Sequence, residues 1–276
     1  MPLPSRPFDV GETAALQRVL SDLEAGTTRQ WYWLELSQQH PAALSRRVRT
    51  LAWLLRRGGP ALAWPWLRGR LAGTALYATP GETLWRRLAQ VRQDALLAVL
   101  CSGALLAGFE RLAATQAFAA WCIAGIGALW QAWRVPAVPP PPELDDDSEI
   151  LPGPESSLGL AGMLMGRGLS PQAAMTLVAS LRQRQDAAVP ALLAAMPELA
   201  PPPPTAALQR WLRAGQWLFA TLPVALVAGV LPSPWGMALG AAWGTLLAAR
   251  NGRSTALLVA LAALIAYALG RLGHAL

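Results

Sequence analysis

Between Arg213 and Arg250 the chain runs through residues 214–249 without one charged side chain. In hydrocarbon every backbone N–H and C=O has to be satisfied within its own segment, so a run of this kind admits membrane-spanning helix and little else. Pro232 and Pro234 divide it into two segments, each near the 17–25 residues that a crossing requires. Three more uncharged stretches accompany it, at 95–109, 112–133 and 254–270. Together they predict five membrane helices, two before a polar insert and three after it. The first is short and spans only by borrowing residues around Asp94.

Composition agrees. Charged residues make up 14% of the chain and hydrophobic residues 54%, whereas a soluble globular domain carries about 25% charge. All 23 basic residues are arginine, and the formal charge is +7. That excess does not point to nucleic acid, because no DNA- or RNA-binding motif accompanies it. The arginines gather in the first 92 residues and at the ends of apolar runs. Arg86, Arg87, Arg92, Arg134, Arg210, Arg213, Arg250 and Arg253 fall on one side of the membrane if the spans alternate, which makes that side cytoplasmic. The turn at Glu110, the "LPSPW" turn and the tail with Arg271 and His274 then face outward. No apolar core follows Arg6, so no secretory signal is read at the start.

The expected organisation has four parts: an N-terminal helical region at 1–90, a membrane hairpin at 91–135, a linker with a helical insert at 136–205, and three membrane helices at 206–276. In the first, one helix is expected from Asp9 to about Gln39. A second, "ALSRRVRTLAWLLRR", stops at Gly58-Gly59-Pro60. Its many tryptophans read as packed core or interfacial belt. The insert opens on "VPAVPPPPELDDDSEILPGPE", a proline-rich acidic linker, and continues as "RGLSPQAAMTLVASLRQRQDAAVPALLAAMPELA". Ser170 is placed to cap a helix that has Pro171 in its first position. Cys101 and Cys122 lie in apolar runs and read as inert thiols.

This topology, with the "GLSP" helix start and the "PELA" close of the insert, resembles the vacuolar iron transporter family, in particular its bacterial branch with an N-terminal ferritin-like (rubrerythrin-like) domain. The "ARNGRS" turn and the final "YALGRL" fit the same pattern. The resemblance implies an all-α, five-span homodimer in the bacterial inner membrane, multi-pass with a cytoplasmic N-terminus. It also implies export of iron(II) or manganese(II). A hard divalent cation needs oxygen ligands to replace its hydration shell, and intramembrane charge is costly enough to mark a pathway.

On that pattern Asp94, in "QDALLAVL", stands where the family carries its pathway carboxylate. Glu198, Asp186, Met163, Met165, Glu155 and Glu24 are the candidate metal ligands. Departures accompany the match. The second span ends "GALWQAWRV", with Gln131 in place of an acid, and "SSLGLAGMLMGRGLS" contains no glutamate beyond Glu155 upstream of it. No Glu-x-x-His occurs, so a di-iron centre of the kind built in four-helix bundles is not expected. The alternative expectation is therefore a non-transporting relative serving as a membrane scaffold or partner-binding protein. No nucleophile elbow, phosphate loop or metal-ligand pair supports an enzyme.

Overall fold

The computed structural model describes residues 6–37, 41–42, 45–135, 159–232 and 235–276, the side chains of 184 and 185 excepted. Among them there is no β-strand. The helices are α1 Val10–Leu23, α2 Thr28–Ser37, α3 Arg46–Leu67, α4 Ala78–Gly108, α5 Ala113–Trp133, α6 Gly159–Gly166, α7 Pro171–Arg184, α8 Val189–Ala195, α9 Ala206–Val230, α10 Trp235–Ala249 and α11 Arg253–Ala275. They divide into two compact units. One, the lobe, holds the described residues up to 84 together with 159–204. The other, the body, holds 85–135 with the described residues from 205 onward.

In the lobe, local chemistry sets the helix ends. Asp9 caps α1 by accepting the Glu12 amide at 2.6 Å, while the Glu12 carboxylate accepts the Asp9 amide at 3.3 Å. This reciprocal pair satisfies two donors that the first turn leaves open. The single helix expected from Asp9 to Gln39 is two helices, with a turn at residues 24–27 where Glu24 and Arg29 pair. Ser45 caps α3 through the Val48 amide. Within α3 the expected stop is a sharp kink: Gly59 takes φ +71°, ψ 175°, left-handed geometry that a residue with a Cβ adopts only under strain. A shorter helical piece then runs on to Leu67. Ser170 accepts the Ala173 amide at 3.3 Å at the start of α7, as its sequence implied. The core is made of Leu16, Leu20, Trp33, Leu55 and Leu67, with Leu160, Leu164, Leu181 and Leu199 from the insert.

The body inverts the usual arrangement. Its interior is rich in alanine: Ala95, Ala120, Ala220, Ala225, Ala228 and Ala248 are buried beside Leu96, Leu100, Val224 and Val259. Its outside carries Phe118, Ile126, Leu129, Leu246, Leu257 and Leu264, all more than 60% exposed. An apolar surface of that extent calls for an apolar surrounding. Four helical segments are long and apolar enough to cross a membrane: Thr74–Gly108, Ala113–Trp133, Ala206–Val230 and Arg253–Ala275. The segment expected to be marginal, the first, belongs to the longest helix. The marginal one is α10, whose 15 residues extend about 22 Å against a hydrocarbon core of about 30 Å.

Contacts inside the body fix the direction of each helix. The α4 helix runs from Arg92 towards Glu110, and α5 returns. Arg213 of α9 bonds Gln131 near the end of α5, and Gly229 at the far end of α9 lies against Ala117. The α10 helix runs back along α4, with Met237 against Gly103, Gly244 against Leu100 and Leu96, and Asn251 beside Arg92. The α11 helix then runs outward again, so that Arg271 and His274 reach Glu110.

Where helices cannot rely on expelling water, small residues allow close packing. Gly108 of α4 meets Gly270 of α11 so tightly that a Cβ on Gly270 would stand 3.0 Å from the Gly108 Cα. The most extensive contact joins α5 to α9. There the Trp217 ring fills the space left by Gly127, and its indole N–H donates to the Ile123 carbonyl at 2.9 Å. A methyl group at position 127 has no room unless the ring moves. Gly127→Ala is expected to cost about 1–3 kcal/mol of stability through overpacking, seen as a lower thermal midpoint of the full chain in detergent. An unchanged midpoint would contradict this packing.

Candidate functional site

The polar centre of the lobe is built around Glu24, which sequence reasoning marked as a metal ligand. One carboxylate oxygen accepts from Arg29 Nε at 2.9 Å, and the other accepts the Tyr77 hydroxyl at 2.6 Å. The paired side chains are only 11% and 12% exposed. The Tyr77 oxygen in turn accepts the Trp33 indole N–H at 3.3 Å, and the two rings stack 6.0 Å apart. Tyr32 packs edge-on to Trp33 and donates its hydroxyl to the Gly73 carbonyl at 2.8 Å. Burial, assisted by the charge of Asp186, pushes the Tyr32 phenol far above its ordinary value.

Asp186 continues the chain of contacts. One of its oxygens accepts the Gly73 amide at 3.0 Å and the Ala75 amide at 3.1 Å, and so holds the turn that precedes α4. Gly73 has φ +87°, and a Cβ there would press on Trp33 and the Tyr32 hydroxyl at 3.1 Å. The position therefore requires glycine twice over. Glu198 forms an exposed ion pair with Arg167 at 2.5 Å, while its backbone carbonyl accepts from Thr28 at 3.4 Å. Glu35, buried on α2, is bound by Arg182 of α7.

The candidate ligands are thus dispersed. Glu24 and Asp186 belong to one network through Tyr77, Trp33, Tyr32 and Gly73, yet each serves its own donors. Met163 is half-buried and Met165 is 38% exposed, on either side of the fully buried Leu164. Glu155 lies outside the described residues, as do His40 and the acidic linker. Among the described residues no three His, Cys, Asp or Glu side chains gather where a metal could be held. Arg29, Tyr77 and Arg182 escaped the sequence reading. Tyr77 and Arg182 act on partners 53 and 147 residues away and leave no local spacing to find, whereas Arg29 lies five residues from Glu24.

In the body, Asp94 is exposed on α4, whereas Ala95 and Leu96 beside it are buried. Its surroundings are basic. Arg213, held by the buried Gln131 at 2.8 Å, lies within electrostatic range of Arg134, Arg87 and Asp94. Arg92 donates to Asn251 and has Arg250 near it. Three exposed tryptophans, Trp130, Trp133 and Trp211, stand at this end, as the water–lipid boundary favours. The two cysteines are free and half-buried.

Comparison with protein-family models, with curated proteins and with solved structures returns no match.

Removing the Glu24 carboxylate strands Arg29 in a largely buried place. Glu24→Ala is expected to destabilise the lobe by about 3–5 kcal/mol, read as lost hydrogen-exchange protection in α1 and α2 of the full chain, with the body helices unaffected. Tyr32 gives a second test. A phenol whose folded pKa is raised contributes stability that is fully present below its unfolded pKa, about 10, and is lost as pH rises beyond it. The lobe should therefore loosen above about pH 10 in the wild type and less steeply in Tyr32→Phe, as followed by tryptophan emission.

Proposed function

We propose that this protein is a multi-pass membrane protein whose folded lobe stands in the cytoplasm as a scaffold for a partner, and that it works without transporting an ion. The single observation behind this reading is what the carboxylates do. Glu24, Glu35, Asp186 and Glu198 are each occupied by a cation or by backbone amides. A carboxylate already satisfied in this way has little to offer a divalent ion, which demands several free oxygens at once.

Five crossings are consistent with the alternating directions of α4, α5, α9, α10 and α11. They require the short α10 to cross with help from its flanking turns or from local thinning of the bilayer. The arginine-rich end of the body, with Arg92, Arg134, Arg213 and Arg250, supports a cytoplasmic assignment for that end. The lobe supports the same parity. Residues from both sides of the first hairpin pack in one unit, so the chain must return to the side it left. On this reading the membrane is a bacterial inner membrane.

A second reading is a divalent-metal carrier of the vacuolar-iron-transporter type, acting as a homodimer on iron(II) or manganese(II). One observation favours it: Asp94 sits exposed at the start of the apolar half of α4, with no hydrogen bond or ion pair to another described residue. Uptake of iron(II) and manganese(II) into inverted vesicles separates the two. The scaffold reading expects no uptake above protein-free vesicles. Uptake that disappears in Asp94→Ala would replace it with the carrier. For the scaffold itself, a photo-crosslinker at Met175, half exposed on α7, should give one discrete adduct in native membranes. A smear or no adduct would count against a dedicated partner.

A further inference from the structure

The lobe carries a basic face that neither reading uses. At about 100° per residue, Arg46, Arg49, Thr50, Trp53, Arg56 and Arg57 of α3 fall within an arc of about 120° with Trp53 near its middle. All six are exposed, and Trp53 is 57% exposed. The opposite arc, with Val48, Leu51, Ala52 and Leu55, is buried in the lobe. The α3 helix contains no acidic residue to neutralise its arginines. Arg57 lies over the Trp53 ring at 5.2 Å, and a shallow open depression is lined by Arg46, Arg49, Thr50 and Trp53.

The composition of this face names its occupant. Guanidinium groups bind phosphate through paired donors and shed water more readily than ammonium groups do. An indole prefers the boundary between headgroups and acyl chains. A stripe that combines the two, on a helix whose other side is already packed, matches an anionic bilayer surface. Chain connection adds a second argument. Residues 68–77 are all that separate the end of α3 from the start of α4, the helix that continues into the apolar body. Covalent attachment to that helix keeps α3 at a high effective concentration for the bilayer that would surround the body.

We propose that the Arg46–Arg57 face of α3 docks on anionic phospholipid headgroups of the bilayer that holds the body, with Trp53 seated at the interface. This rests on the membrane reading of the apolar helices but not on either functional reading. Docking restrains the lobe against the membrane, and the lipid charge sets how firmly.

The test uses the full chain with Cys101→Ala and Cys122→Ala, carrying an environment-sensitive fluorophore at Thr50→Cys. It is reconstituted into nanodiscs of phosphatidylcholine, with or without phosphatidylglycerol, and with spin-labelled lipid as quencher. Failure of the chain to incorporate into phosphatidylcholine discs would sink the membrane reading itself, and this proposal with it. Given incorporation, quenching should rise with phosphatidylglycerol and be reversed by high salt. Arg49→Gln and Arg57→Gln should each lower the docked-to-free ratio roughly fivefold, with circular dichroism unchanged. The same fluorophore at Ala173→Cys, on the exposed face of α7, should show no dependence on lipid charge. Equal quenching in both lipids, an equal response at position 173, or glutamine variants as responsive as the parent would overturn the proposal. So would RNA shifting the label in detergent as strongly as phosphatidylglycerol does in discs, since the face would then be a nucleic-acid surface.

Discussion

Asp186 stands 113 residues along the chain from Gly73, yet one of its oxygens receives the Gly73 and Ala75 amides. That contact, with Arg182 on Glu35, ties the insert to the N-terminal helices across the entire first hairpin. The consequence reaches past the lobe. On the proposed membrane reading, a unit assembled from two stretches requires both on the same side of the bilayer, so α4 and α5 would cross an even number of times between them. Topology, which is otherwise argued from arginine statistics, acquires a mechanical basis in two carboxylates. The same contacts occupy oxygens of both carboxylates. Their lone pairs are directed at donors that the fold cannot release without opening.

Much of the fold was legible in the sequence, and the reasons are local. An uncharged run of sufficient length has one stable form in lipid, so the apolar helices announce themselves. Ser170 with Pro171, and Gly58-Gly59-Pro60, are signals contained within a single turn of chain, and both correspond to a helix boundary or kink. The break at residues 24–27 was harder. Polar and apolar residues keep a helical rhythm through "SDLEAGTTRQWYW", but Gly26 takes φ +78°, a conformation with which helices commonly end, and Glu24 pairs there with Arg29 and Tyr77. The ligand set was the least legible of all. An acidic residue looks the same in sequence whether its oxygens are free or already bonded, and for Glu35, Asp186 and one oxygen of Glu24 the difference lies in partners more than fifty residues away.

The two units answer to different solvents. In the lobe, Leu16, Leu20, Trp33 and Leu55 are buried while Arg46, Arg49, Arg56 and Arg57 are exposed, the order that water imposes. In the body, alanine and glycine are inside and the bulky residues face out, because association there depends on close approach more than on expelling water. The Trp217 indole shows how a polar group is handled in such a place: it donates to the Ile123 carbonyl in the gap that Gly127 leaves. The buried Gln131 and Thr221 are treated alike, one accepting from Arg213 and the other donating to the Trp217 carbonyl.

These arrangements bear on which ion, if any, the body could admit. A cation pathway concentrates negative charge at its mouth, because the field of the site determines which ions collect there. At the Asp94 end the balance is reversed: Arg213 lies within electrostatic range of Asp94, Arg87 and Arg134, and Arg92, two residues before Asp94 on α4, has Arg250 near it. That end of the body therefore carries more positive than negative side chains. Near a low-dielectric core, water does little to screen that charge. The same charges attract lipid phosphates, as does the arginine face of α3. The body's arginine-rich end and the lobe's basic stripe each carry the charge that anionic headgroups attract. On the membrane reading proposed above, that shared charge is what a membrane-held platform would use and what a cation carrier would have to overcome.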